Sequence, residues 1–288
     1  MEQAPEAPES IAPWTVQQAL EQARARGLER IDAQMLLLHA LGRPLHDRAW
    51  LLTHDTDTLP ASVQAQYTAL CARRQAGEPV AYLTGRKAFY GLELQVDARV
   101  LDPRPDTETL VDWALQLLQA RTAPRIVDLG TGSGAIALAL QSQRPDARVL
   151  AVDASAGALA VAQANAARLH LPVQCLQGDW LQGLQGPFDA IVANPPYIPQ
   201  ADPHLAALRH EPLAALASGA DGLADLRAII AQAPACLAPG GWLLLEHGWD
   251  QAPAVCALLQ EAGFAAVQTR KDLAGIVRCS GGQWPGMK

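Results

Sequence analysis

Between Ile126 and Cys279, short apolar runs alternate with helical stretches, and that alternation leaves few folds open. The runs are Ile126–Leu129, Val149–Val152, Val173–Leu176, Phe188–Val192 and Trp242–Glu246, with a closing pair near Phe264–Thr269 and Ile276–Cys279. The pattern therefore predicts a mostly parallel sheet with helices on either side.

Upstream the texture is different. Thr15 followed by Gln18 can form a capping box, and Gly27 can end the helix that it starts. Leu28–Leu41 places Ile31, Met35 and Leu38, with Leu37 and Leu41, at helical spacing and stops at Gly42. Pro44 and Pro60 sit where the first turns of two more helices would begin, so the stretch to about Gly77 reads as a small helical bundle after a loose start to about Ser10. From Ala88, the residues Phe89, Leu92, Leu94 and Val96 predict a strand or hairpin, and a helix follows near Thr107–Ala120. The expected organisation is a helical domain over 1–80, a linker with a β-hairpin over 81–105, and an α/β domain over 106–288.

Composition narrows the function. With 50% hydrophobic and 18% charged residues in 288, the chain can bury a core and is neither disordered nor a coiled-coil rod. Its 29 Asp+Glu against 22 Lys+Arg give a net charge of −7, the opposite of a stand-alone DNA binder. The five cysteines are widely spaced without a C-x-x-C pair, which indicates neither a disulfide framework nor a zinc cluster, and no metal is expected. The acidic start Met1–Glu6 lacks the marks of a signal peptide and no apolar run is long enough to span a membrane, so a soluble cytoplasmic protein is expected.

The first strand runs straight into Gly130-Thr131-Gly132-Ser133-Gly134 and then into the helical Ala135–Leu140. Glycines here let a backbone approach a ligand closely, although a tight turn without any ligand reads the same way. The spacing is one residue short of the G-x-G-x-x-G dinucleotide fingerprint, so an aminoacyl nucleoside without phosphates suits it better. Asp153 ends the second strand where a carboxylate can accept both ribose hydroxyls; it could also cap the helix near Ser155. Trp180, after the third strand, is placed to meet an adenine or to join the core.

Asn194-Pro195-Pro196-Tyr197 ends the fourth strand, at the edge where open α/β sheets hold their reacting groups. Two prolines stiffen the path and deprive the Pro195 carbonyl of a neighbouring N–H, leaving an acceptor beside the Asn194 side-chain oxygen. Two acceptors suit a planar nitrogen with two N–H groups, an amide or an exocyclic amine, which is a poor nucleophile until it is oriented. Tyr197 can lie against that planar group. With a sulfonium methyl donor, positioning supplies most of the catalysis and no metal is needed.

The chain resembles the PrmC/HemK protein-(glutamine-N5) methyltransferases of peptide chain release factors. The resemblance rests on Asp128–Gly134 and Asn194–Tyr197, and also on Phe89-Tyr90-Gly91-Leu92, Pro103–Glu108, His210-Glu211-Pro212, Asp221-Gly222-Leu223, Leu245–Gly248 and Lys271–Gly275. It implies a Rossmann-like class I S-adenosylmethionine-dependent methyltransferase fold, with a seven-stranded mostly parallel sheet, preceded by a small all-α domain that helps to dock the substrate. It implies S-adenosyl-L-methionine as cofactor and, as substrate, the glutamine of a Gly-Gly-Gln loop in class-I release factors. Carried over by position, Gly130, Thr131, Gly132, Ser133, Gly134, Asp153, Trp180 and Asn194 contact the cofactor, while Asn194, Pro195, Pro196 and Tyr197 grip the glutamine amide. Asp102 departs from the pattern, which has an aliphatic residue before Pro103.

Other residues carry less. Arg104 and Glu108 either border the substrate mouth or form a helix-start salt bridge. Glu211 beside His210 gets no base role, since an amide needs none before attack. Glu246 is a buried hydrogen-bonded carboxylate or part of the site floor and is assigned no catalytic role. Gly281-Gly282-Gln283 repeats the tripeptide that the family modifies, by chance or as a site of self-methylation. The competing functions are an adenine-N6 methyltransferase on nucleic acid, which would need a basic groove or target-recognition insert, and a non-catalytic nucleoside-binding scaffold.

Overall fold

The computed structural model describes residues 13–286, so the acidic segment Met1–Glu6 and the loose start to Ser10 lie outside the described residues. The chain divides into two compact units between Thr84 and Gly85.

The first unit is helical: α1 (Val16–Ala25), α2 (Arg30–Ala40), α3 (Arg48–Thr53), α4 (Ala61–Gln75) and α5 (Val80–Thr84). The capping box forms, with Thr15 Oγ1 accepting from Gln18 N at 3.2 Å and Gln18 Oε1 from Thr15 N at 2.9 Å. α2 is the centre of this unit, contacted by the other four helices, and Leu36, Leu37 and Leu38 are all fully buried. Ile31, expected on the apolar stripe, is instead 54% exposed. A helix enclosed on most sides has no single stripe, and Ile31 lies in its first turn, beyond the enclosed part. Pro44 likewise opens a turn, its carbonyl accepting from Asp47 N at 3.0 Å, and α3 begins only at Arg48. Pro60 does stand at a helix start, as the N-cap of α4.

The second unit opens with an antiparallel hairpin of β1 (Arg86–Phe89) and β2 (Leu92–Gln95). Its two-residue turn has positive φ at both Tyr90 (49°) and Gly91 (75°), the geometry that matches the twist of paired strands. A 3-10 turn at Pro105–Thr107 leads into α6 (Glu108–Leu117). Then follow β3 (Arg125–Leu129), α7 (Ala135–Gln143), β4 (Arg148–Asp153), α8 (Ala156–Leu169), β5 (Gln174–Gln177), β6 (Phe188–Ala193), α9 (Ala224–Cys236), β7 (Leu237–Glu246), α10 (Ala252–Glu261), β8 (Ala265–Lys271) and β9 (Val277–Gln283). The strand order is β5-β4-β3-β6-β7-β9-β8, parallel from β5 to β7, with β9 antiparallel to both β7 and β8.

The expected sheet is present, and its strand faces explain its helices. Val127, Leu129, Ile191, Leu243 and Leu245 pack with Leu226 and Ile229 of α9 and Val255 and Leu259 of α10. The alternate residues Ile126, Val192 and Leu244, equally buried, point to the other face, which α6 and α7 contact. Two strands are longer than their apolar runs. β7 begins at Leu237 and crosses Pro239-Gly240-Gly241, while β9 continues through Gly281 and Gly282 to Gln283. Chain order reverses at β3, which has β4 on one side and β6 on the other, so the loops after β3 and β6 diverge and leave a crevice at their carboxyl ends.

Candidate active site

The glycine loop is held from behind by a buried carboxylate. Asp128 Oδ2 accepts from Thr131 Oγ1 at 2.6 Å and from Ala137 N at 3.2 Å, which fixes both the loop and the first turn of α7. Burial pushes the Asp128 carboxyl up to about 7. Gly130, Gly132 and Gly134 all have positive φ. A Cβ on Gly130 would stand 3.3 Å from the Trp180 ring, and one on Gly134 would meet Leu138 at 3.0 Å and Ala162 of α8 at 3.3 Å. The first glycine admits Trp180 and the last admits a neighbouring helix.

Asp153 ties the loop to the next strand. Its Oδ2 accepts from Gly132 N at 2.9 Å and its Oδ1 from Ser155 N at 2.8 Å. It does not cap α8: Ser155 does, accepting from Ala158 N at 3.1 Å. Each Asp153 oxygen keeps capacity for a further hydrogen bond.

A cavity of about 340 Å3 opens above these groups. Gly130, Gly132, Asp153 and Trp180 line one part of it, and Asn194 and Pro196 another. Thr131, Ser133 and Gly134 are not among its lining residues; the side chains of Thr131 and Ser133 are buried and Gly134 is the N-cap of α7. A second, smaller cavity of about 90 Å3 is lined by Arg104, Asn194, Pro195, Tyr197 and Leu216. Asn194 lines both.

The second cavity has walls that no motif announced. Ile198 N donates to Leu216 O and Ser218 N to Ile198 O, both at 2.9 Å, so the chain after the two prolines is folded back on by residues 213–218. Leu101 lines both cavities. Gly222 makes this return possible, because a Cβ there would overlap the Tyr197 carbonyl. That carbonyl accepts from Gln251 Nε2 at 3.0 Å. Burial, with the Glu246 carboxylate nearby, pushes the Tyr197 phenol up to about 12. Among the described residues, no donor reaches the Pro195 carbonyl.

Behind Asn194 lies a polar pair. Its Nδ2 donates to Thr107 Oγ1 at 3.2 Å, and Thr107 and Glu246 are both buried. Burial raises Glu246 to about 7; side-chain hydrogen bonding from Thr107 and Asn194 and the charge of Arg278 oppose that rise, and Asp106 adds to it. Glu246 Oε2 is buried without a hydrogen-bond partner.

Asp102 is accounted for by charge. It is buried, with Lys87 Nζ 2.9 Å from its Oδ1 and Arg104 Nη1 3.7 Å from its Oδ2, while its backbone N donates to Glu211 Oε2 at 3.2 Å. Arg104 Nη2 donates to Glu211 Oε1 at 2.5 Å. The partner of Arg104 is thus Glu211 and not the helix start, while Glu108 accepts from Tyr90 N at 2.8 Å. The tripeptide Gly281-Gly282-Gln283 lies inside β9, paired to both β7 and β8, and Gln283 Nε2 donates to Gly240 O at 3.2 Å. Self-methylation would require that strand to leave the sheet.

Residues 107–248 match the family described as methyltransferase small domain, and residues 15–85 the family described as PrmC N-terminal domain. The release factor glutamine methyltransferase of Bordetella pertussis is 54% identical over 260 residues, covering 89% of this chain and 95% of its own. That of Burkholderia pseudomallei is 50% identical over 278 residues, covering 93% and 96%. Among solved structures, a methyltransferase from Pyrococcus furiosus aligns with a TM-score of 0.53 at 19% identity over 77% of this chain and 100% of its own. The hMettl16 catalytic domain aligns at 0.57 and 15% identity over 73% and 80%. These two likenesses concern the fold alone.

Proposed function

The chain belongs to the release factor glutamine methyltransferase family, and on that premise we propose that it transfers the methyl group of S-adenosyl-L-methionine to the side-chain amide nitrogen (N5) of the glutamine in the Gly-Gly-Gln loop of class-I peptide chain release factors. The observation that carries this reading is Asn194, which lines both a nucleoside-sized cavity and a smaller one lined also by Pro195 and Tyr197.

The larger cavity fits the cofactor. Asp153 has acceptor capacity left for two ribose hydroxyls, Trp180 presents a ring beside Gly130 for the adenine, and the loop Gly130–Gly134 gives backbone approach. When bound, the cofactor supplies a methyl made electrophilic by a positively charged sulfur. The protein's own residues do the rest. Asn194 Oδ1 and the Pro195 carbonyl accept the two N–H groups of the glutamine amide, orienting its nitrogen and favouring the positive charge that develops there as the new N–C bond forms. Pro196 keeps this stretch rigid, and Tyr197 lies against the amide plane. The extra proton on nitrogen leaves after attack, so no general base precedes the step.

The helical unit is assigned to docking the release factor, and the work is placed in the cytoplasm, in support of translation termination. Among the described residues no helix is long and apolar enough to cross a membrane. The net charge of −7 favours a protein partner over DNA. The test supplies labelled cofactor with a class-I release factor, with its Gln→Ala variant in the Gly-Gly-Gln loop, or with duplex DNA. Label on the native factor alone is expected; label on DNA, or on the Gln→Ala factor, refutes the reading. Asn194→Ala should lower the transfer rate far more than cofactor affinity, and an equal loss in both would mean that Asn194 mainly builds the cofactor cavity.

A further inference from the structure

A side-chain amide is nearly symmetric in shape, and only its surroundings decide whether it offers oxygen or nitrogen to a ligand. For Asn194 that decision lies behind the site. Its Nδ2 donates to Thr107 Oγ1 at 3.2 Å, and the Thr107 and Asn194 side chains both favour the charged form of the buried Glu246 carboxylate beside them. Thr107 is 4% exposed and Glu246 1%, so no water competes freely for these contacts. The Thr107 hydroxyl has one proton. Given to Glu246, it leaves the oxygen as an acceptor for Asn194, and both inward neighbours of the amide are then acceptors.

We propose that Thr107 and Glu246 are positioning residues that hold the Asn194 NH2 inward and its Oδ1 outward, so that the site selects a substrate nitrogen that carries N–H. With the amide turned over, Oδ1 would face two oxygens and the NH2 would face the substrate NH2, an arrangement that costs hydrogen bonds on both sides. Neither residue needs to touch the substrate. β7 presents Glu246 beside Asn194 because Ala193 pairs in parallel with Leu245, which brings the ends of the two strands together. Thr107 arrives from the 3-10 turn before α6. The unpartnered Glu246 Oε2 is the cost of keeping a carboxylate here, and a residue kept only for packing would not need it.

This inference rests on the function proposed above, and the experiment separates the two. Wild type, Thr107→Val, Thr107→Ser and Glu246→Gln are each assayed for cofactor dissociation constant by calorimetry and for kcat and KM with a class-I release factor from pH 6 to 9. Loss of an orienting hydrogen bond to a charged group corresponds to roughly 10-fold or more in rate. Thr107→Val is expected to lose that much in kcat with cofactor affinity within about 2-fold, and Thr107→Ser to recover most of it. In wild type, kcat should fall as Glu246 is protonated below about pH 7, and Glu246→Gln should lose that limb. Asp106 on the 3-10 turn, Arg278 and Cys279 on β9, and Tyr197 after β6 face the same carboxylate and shift the limb without abolishing it. A Thr107→Ser enzyme as slow as Thr107→Val, or an acid limb unchanged in Glu246→Gln, overturns the positioning role while transfer by wild type stands. A wild type that transfers no label to the release factor overturns the function, and the inference with it.

Discussion

Replacing Gly222 by alanine should disable the proposed site from a position outside it. At φ +74° an L-residue costs about 1–2 kcal/mol relative to glycine. The new Cβ would also overlap the Tyr197 carbonyl oxygen, stand 3.0 Å from its carbon and 2.7 Å from Gln251 Nε2. Two of those three neighbours are backbone, so relief requires the chain to move by roughly 1 Å, and such overpacking costs about 1–3 kcal/mol. Together the loss is about 2–5 kcal/mol, which in a unit of this size lowers the melting temperature by roughly 4–20 °C. The direction of movement matters as much as the energy. Gln251 Nε2 donates to the same carbonyl at 3.0 Å, and pushing the two apart displaces Tyr197 from the wall of the smaller cavity. A calorimetric melt combined with cofactor titration and release factor kinetics tests this. The expected outcome is a lower melting temperature and a fall of about 10-fold or more in kcat/KM for the release factor, with cofactor affinity retained, since displacements near 1 Å carry rate losses on this scale. A variant that melts within about 2 °C of wild type and keeps its kinetics would refute the steric reasoning.

Other consequences follow from the buried charges and the close approaches. Arg104→Ala leaves Glu211 buried beside only the Asp102 N–H, and a loss of about 2–4 kcal/mol in denaturant stability is expected, partly recovered in the Arg104→Ala, Glu211→Gln double variant; additive losses would show that the two do not interact. Asp128 is neutralised by folding, its pKa raised by burial to about 7, so its contribution to stability is greatest at acid pH and is lost as pH rises from about 4 towards 7. Asp128→Asn should therefore gain stability relative to wild type across that window and no further above it, which pH-dependent melts would show; a difference flat in pH would count against the assignment. Gly281→Ala would bring a Cβ within 2.6 Å of Leu243 O and 2.8 Å of the Trp113 ring, and should melt lower by several degrees, roughly as Gly222→Ala does. Trp180→Ala should weaken cofactor binding by roughly 10-fold, the scale of a lost aromatic stack, in a calorimetric titration.

What the sequence discloses is the part written in local pattern. Ile126–Leu129 and Phe188–Val192 are apolar runs bounded by glycine, proline or aspartate, and both are strands of the sheet within a residue of their expected bounds. β9 is less legible because Gly281 and Gly282 give no strand signal; they are glycines because Leu243 and Phe264 press on them, a tertiary reason. β7 crosses Pro239-Gly240-Gly241, which reads as a turn, next to a shift of register opposite Phe188 and Ala190. In the candidate site, Gly130, Gly132, Asp153, Trp180 and the residues of Asn194–Tyr197 could be named because each lies within a motif. Thr107 lies within the Pro103–Glu108 stretch, but its role depends on Asn194, 87 positions away; Leu101 and Leu216 lie in no motif, and they line the smaller cavity through a return of the chain that no local spacing encodes. Glu246 lies in the Leu245–Gly248 stretch as a carboxylate at the end of a leucine run, but its neighbour Asn194 follows a different strand, β6. Asp102, which departs from the family pattern, is a member of an ion network.

The interior position of β9 sets an order of events during synthesis. β9 leaves the ribosome after every other strand described here, yet it separates β7 from β8 and pairs along the whole of Trp242–Glu246. Until it emerges, β8 has no partner and the edge of β7 that carries Glu246 is open. Nascent chains can form the helical unit and the parallel half early, as earlier segments generally do. The half of the sheet that carries Glu246 closes only when β9 has paired, so a chain cut before β9 should leave β8 without a strand partner and this edge of β7 open.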